Sequence, residues 1–485
     1  MKSVVGAAVV ATMLVAAACA RPEPSDPPPA LTADGLAAAL SPAALSEHLH
    51  RLQQIAGEHD DNRAVGTAGY DAGLDYVRDR LTERGFRVQT QDFDAVTYAV
   101  TAHRLSSAAQ EFPAIPLKYS PATPAAGLTA RTIRVAGGER PGCAAADYAG
   151  LDLAGAIVAI PRGGCTFEQK QDLAADRGAV AALIVDPNGP LLSGILGEPD
   201  AGRIPVLGIA ADDADRLLST AAPATLVLAA TTTHTPTRNL IAQTDTGNTD
   251  NVVLVGAHLD SVPVGPGIND NGTGVAAVLE TALQLGSAPP VQNAVRFVWW
   301  GAEELGLLGS RHYVDAMSED ELTKVALYLN FDMLGSPNYG YFAYDGDDSD
   351  ADGAPAGPPG SAGIERTLAG YLHDRQHVEV AGTDFDGRSD YGPFMARGIP
   401  AGGVDSGADA SKTAAQVATW GGAAGEPFDP NYHTAADTVD NVNLDAFVRN
   451  SRAVAFGTAT YALSVGGPDG VPVGPERIHA RSGHA

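Results

Sequence analysis

Residues 252–280, VVLVGAHLDSVPVGPGINDNGTGVAAVLE, pass from an apolar strand through a turn-rich loop into an apolar helix. The alternation of strand, loop and amphipathic helix continues from Arg238 to Val465. Such a pattern predicts an α/β fold with a mostly parallel mixed sheet and helices on both faces. In open sheets of this kind ligands bind beyond the carboxyl ends of the strands. Polar side chains gather at those ends. His258 closes NVVLVGAH and Asp270 sits in the loop GINDNGTG. Glu303 and Glu304 follow AVRFVWWGA at an expected helix start, Asp332 follows VALYLNF, and His433 lies in NYHTAADT before a helix.

Taken singly, each residue has an ordinary reading. His258 could be a satisfied core histidine, Glu303 and Glu304 could cap a helix, and Asp270 could be turn chemistry. Together they would place metal-type side chains at five strand ends and loops by accident, and charge near a sheet core is costly unless paired or metal-bound. Two His and three carboxylates without a thiolate suit catalytic zinc. Five donors are too many for one tetrahedral ion with an open position. They suit two ions about 3.5–4 Å apart that share a carboxylate, with Glu303 left over as a general base. Asp260, two residues after His258, is placed for its carboxylate to take the other ring N–H.

The rest of the chain sets the context. Lys2 precedes an apolar run over Val4–Val15, too short to span a bilayer as a mature helix, so 1–18 reads as a signal peptide. Ala16-Ala17-Ala18-Cys19 resembles the lipobox of bacterial lipoproteins, which makes Cys19 the lipidation site and 19–38 a Pro-rich tether. The expected location is therefore extracytoplasmic, anchored to the cell membrane or released from it. The net charge of −27 argues against nucleic acid as a partner. Cys143 and Cys165, an even pair in an exported chain, read as a disulfide.

Residues 39–104 carry two helices and a strand and read as the first part of the catalytic domain, which resumes over 235–466. The stretch 105–234 changes to short strands and turns. Its segment GCAAADYAGLDLAGAIVAIPRGGCTFEQKQDLAADRGAVAALIVD resembles the protease-associated domain, a β-rich insert. The five acids in the loop Tyr344–Gly363 are either solvated or ligands for Ca2+. The tail 467–485 reads as disordered, and a monomer is expected.

GAHLDS, NDNGTG, GAEELGLLGS, NFDMLG, FDGRSDYGPF and YHTAADT, in that order, resemble the co-catalytic di-zinc aminopeptidases of metallopeptidase family twenty-eight. The secreted bacterial leucine-aminopeptidase type is most similar. The resemblance implies a zinc-aminopeptidase/phosphorylase-like fold and two Zn2+ per chain. It places His258 and Asp332 on one ion, Glu304 and His433 on the other, and Asp270 between them, followed by a cis Asp270–Asn271 peptide. It makes Glu303 the general base, gives Tyr432 the oxyanion and puts Arg388 on the substrate site. The implied substrates are peptides with a free N-terminus and a large apolar first residue. Carboxypeptidases and a receptor that has lost its ligands share the scaffold, so those readings stay open. Trp420, Phe394 and Phe428 are pocket or core.

Overall fold

The computed structural model describes Met1 and residues 30–186, 191–351 and 353–482. The expected signal peptide, Cys19 and most of the expected tether lie outside the described residues. The expected tether does not extend through residue 38, because Ala33–Ala39 is a helix, capped by Thr32, whose Leu36 and Ala37 are buried.

An eight-stranded mixed sheet organises the catalytic part. Ala401–Gly402, Val325–Asn330, Asn248–His258 and Asn293–Trp300 lie side by side and parallel. Beyond Asn293–Trp300 the strands Ala224–Gln243, Arg87–Ser107 and Gln110–Phe112 continue antiparallel, and Leu128–Ala130 pairs with Ala224–Gln243. Side chains alternate across the strands. Val253, Val255 and Ala257 enter one core and Leu254 the opposite one; Trp299 and Trp300 split the same way. Helices therefore cover both faces. Gly274–Leu285, which follows the Asp270 loop, is buried at every residue but Gln284. It is apolar almost all round because it lies between the sheet and the outer helices Pro42–Gly57 and Leu444–Leu463.

The inserted module has its own five-stranded sheet, in the order Ile115–Pro116, Val206–Ala210, Ala181–Asp186, Ile157–Pro161, Thr132–Arg134, with an apolar core on each face. Cys143 and Cys165 are joined within it, with Cα atoms 5.8 Å apart. Strands Arg87–Ser107 and Ala224–Gln243 pair along their whole length and run unbroken through the expected boundaries at 104/105 and 234/235. The module is thus carried on a continuous ribbon of the main sheet.

The expected disordered tail is in fact structured as far as Ser482: Pro475–Arg481 forms a helix. Arg477 donates to the carbonyls of Asp250 and Thr323, and Arg481 to those of Leu322 and Val325. These contacts satisfy main-chain acceptors of two central strands near their amino ends and of the helix Glu319–Lys324 before one of them, a role that a polar, Gly/Pro-rich sequence does not advertise. Asp345 and Asp347 of the acidic loop approach Glu365 of the helix Ser361–Gln376. The Asp345 carboxylate already accepts from the N–H groups of Asp347, Ser349 and Asp350, and Glu365 accepts from Gly346.

Candidate active site

All five expected donors converge at the carboxyl rim of the parallel strands. His258 ends its strand and its side chain is 1% exposed. Its Nε2 lies 3.3 Å from Asp270 Oδ1 and 3.3 Å from Asp332 Oδ1. His433 approaches from a loop, with its side chain 37% exposed. Its Nε2 lies 3.0 Å from Asp270 Oδ2 and 3.1 Å from Glu304 Oε2. Asp270 thus turns one oxygen to each histidine. The peptide between Asp270 and Asn271 is cis. Glu303 stands beside the cluster, 3.9 Å from His258 Nε2.

Two features differ from expectation. Glu303 and Glu304 are not at a helix start: they lie in a turn after Trp300, and the helix begins at Leu308. The turn needs Gly301, since a Cβ there would collide with the Tyr70 hydroxyl and the carbonyl of Arg238. The other difference concerns Asp260. Its main-chain carbonyl, not its carboxylate, meets His258 Nδ1, at 3.1 Å; the nearest carboxylate oxygen is 3.8 Å away. The carboxylate instead accepts from the N–H groups of Glu303 and Glu304, at 3.2 and 3.3 Å. Asp260 therefore couples the first histidine strand to the Glu303–Glu304 turn.

Sequence reasoning missed several supports. The Ser389 hydroxyl donates to Asp332 Oδ2 at 2.7 Å and accepts from Asn330. Asp437 accepts from the N–H groups of both Asn269 and Asp270. Arg63, wholly buried, donates to the carbonyls of Leu259, Pro266 and Gly267 and so braces the segment between His258 and Asp270. Ser389 and Asp437 were inside the motifs FDGRSDYGPF and YHTAADT, and Arg63 followed an Asn near the first helices; no local pattern singled them out.

Whether these residues fit zinc can be judged from their electrostatics. Glu303, Glu304, Asp332 and Asp270 crowd one largely buried point. Glu304 Oε1 and Asp332 Oδ1 are buried and make no hydrogen bond among the described residues. Burial, with Asp270 close by, pushes the Glu304 carboxyl up to about 7. Burial, with Asp390 and Asp332 nearby, also raises Glu303 well above the usual carboxylate range. Burial works against charge on His258, but Asp332 and Glu303 more than reverse it and raise its pKa. His433, likewise opposed by burial, is lifted to about 10 by its bonds to Asp270 and Glu304. The site thus collects more negative charge than its protein partners balance, and cations held by these same donors would balance it. The donor set and its orphaned oxygens fit zinc.

A cavity of about 310 Å3 opens from the cluster and is bordered by Asp270, Glu303, Glu304 and Asp332. Tyr432 and Arg388 line it. The Tyr432 ring stacks on His433 with centroids 3.8 Å apart, and its hydroxyl is 3.4 Å from Arg388 Nη2. Arg388 is also tied to Asp409, at 3.0 Å. Of the three uncertain aromatics, Phe428 lines the cavity, Phe394 is core, stacked on Tyr328, and Trp420 packs edge-on against Phe342.

Residues 239–457 match Peptidase family M28, and residues 128–217 match the PA domain. The probable lipoprotein aminopeptidase LpqL of Mycobacterium tuberculosis is 47% identical, over 98% of this chain and 97% of its own length. An aminopeptidase of Pseudomonas aeruginosa is 42% identical, over 89% of this chain and 82% of its own length. Among solved structures, the aminopeptidase from Aneurinibacillus sp. strain AM-1 superposes with a TM-score of 0.56 at 26% identity, covering 92% of this chain and 98% of that one.

Proposed function

Because this chain belongs to peptidase family M28, we propose that it is an exported zinc aminopeptidase that removes large apolar N-terminal residues from peptides. The observation that carries this reading is Asp270, whose two oxygens face two separate histidine–carboxylate pairs. His258 and Asp332 would hold one zinc, and Glu304 and His433 a second. Zinc there would polarise the scissile carbonyl and lower the pKa of an attacking water.

The protein's own groups do the rest. Glu303, beside the donor cluster and 3.9 Å from His258 Nε2, takes the proton from the water and delivers it to the leaving amine nitrogen. The Asp260 carboxylate keeps the main chain of Glu303 and Glu304 in register. Tyr432 offers its hydroxyl to the developing oxyanion. Asp332 and Glu303 border the cavity and give a free α-amine an acidic setting. Arg388 is the residue a carboxypeptidase would use for a substrate carboxylate, and here Asp409 already holds it. The lipoprotein relative supports export with a lipid anchor at Cys19.

Hydrolysis of leucyl-p-nitroanilide by the purified protein tests the reading. Activity should vanish with a chelator and return with zinc. Cleavage of peptides only at a free C-terminus would replace it with the carboxypeptidase reading.

A further inference from the structure

One wall of the cavity is a face of a small sheet. Strand Phe342–Tyr344 pairs with Ala381–Thr383 on one side and Val404–Asp405 on the other. Phe342 and Tyr344 are two residues apart and so share a face. In register, Asp405 sits opposite Phe342 and Thr383 opposite Tyr344, and all four line the cavity. Phe428 meets Phe342 edge-on at 5.2 Å and lines it too.

A carboxylate therefore projects from an aromatic wall. Asp405 Oδ1 accepts from the N–H of Gly407 at 2.7 Å. Among the described residues its other oxygen makes no hydrogen bond, and no basic side chain comes within 4.0 Å of it. The cation lining this cavity, Arg388, is bound to Asp409. A purely apolar substrate side chain seated here would desolvate Asp405 and give it no partner.

We propose that Asp405 sets the residue preference: the cavity takes an N-terminal lysine or arginine, with the cation on the Asp405 carboxylate. The methylene stem lies against Phe342, Tyr344 and Phe428, as basic side chains lie along apolar surface while their heads reach a polar partner. The pairing is a charge-assisted hydrogen bond, the stronger class. A site built around a buried polar group also discriminates sharply against analogues that leave it unpaired. The inference rests on the aminopeptidase reading and, in place of the large apolar residues given there, prefers residues with an apolar stem and a basic tip.

The test compares lysyl- and norleucyl-p-nitroanilide with the zinc-loaded full chain, since norleucine keeps the stem and lacks the ammonium. The wild-type kcat/KM ratio, lysyl over norleucyl, should exceed one. Asp405→Asn should lower that ratio about 10- to 100-fold, the size expected for a lost hydrogen bond to a charge. Any loss of fold or zinc affects both substrates and cancels in the ratio. A wild-type ratio below one, or a ratio untouched in Asp405→Asn, overturns the assignment while leaving the aminopeptidase in place. If the wild type cleaves neither anilide, both readings fall.

Discussion

The rim of the large sheet and the strand ends of the inserted module solve the same problem in opposite ways. Both sheets have parallel, apolar strands with a carboxylate at or just beyond a strand end. In the module AALIVD ends on Asp186, which Arg162 meets at 2.7 Å. In the catalytic sheet the acids after the strands face one another and two histidines, and oxygens of Glu304 and Asp332 are left without hydrogen bonds. The module's strand-end charge is settled within the protein, and the charge at the rim needs something the chain does not contain. A shared architecture therefore does not make a site; the unbalanced donors do.

Variants can break or sharpen that contrast. The largest effect belongs to Glu303→Gln. Turnover should fall about 10³-fold while mass spectrometry still finds about two zinc ions per chain; retained activity would take Glu303 out of the proton transfers. Asp260→Asn comes next. With one acceptor for the Glu303–Glu304 turn weakened, kcat should drop about 10- to 100-fold, read by steady-state kinetics with zinc in excess. Disruption of the module should look different. Replacing both Cys143 and Cys165 by Ser should lower unfolding stability by about 3 kcal/mol, measured by denaturant titration, with no change in kcat/KM on an anilide. A loss of anilide turnover there would show that module and rim are not separate.

The smallest effect lies in the scaffold under the rim. Glu280 accepts from His48 Nε2 at 3.0 Å and from Gln284. Burial pushes the Glu280 carboxyl up, but these bonds outweigh it and hold the pKa below the usual value of 4.5. The folded value is depressed, so this stability is present above about pH 4.5 and is lost as pH falls through the folded value. Thermal melts should show Glu280→Gln less acid-sensitive than the wild type.

That the five side chains meet was legible because each follows an apolar strand or a turn-rich loop, where periodicity changes and side chains are forced to one rim. What escaped depended on contacts distant in sequence. Arg63 meets its carbonyl partners across roughly 200 residues, and its own neighbourhood reads as an ordinary helix approach. Asp260 was found, but which of its oxygens turns to His258 is decided by the path of the following loop. Phe394 and Phe428 look alike as sequence, and only packing makes one core and the other wall. The terminal helix Pro475–Arg481 was misread because its arginines bind main-chain carbonyls distant in sequence, a contact that its own residues do not signal.

The central claim is that Asp270 stands between two cations. A crystal of the zinc-loaded protein, measured by anomalous diffraction at the zinc edge, tests it directly. Two peaks about 3.5–4 Å apart, one beside His258 and Asp332 and one beside His433 and Glu304, are expected. A map with no peak there, or with one peak that leaves Asp270 uncoordinated, would contradict it.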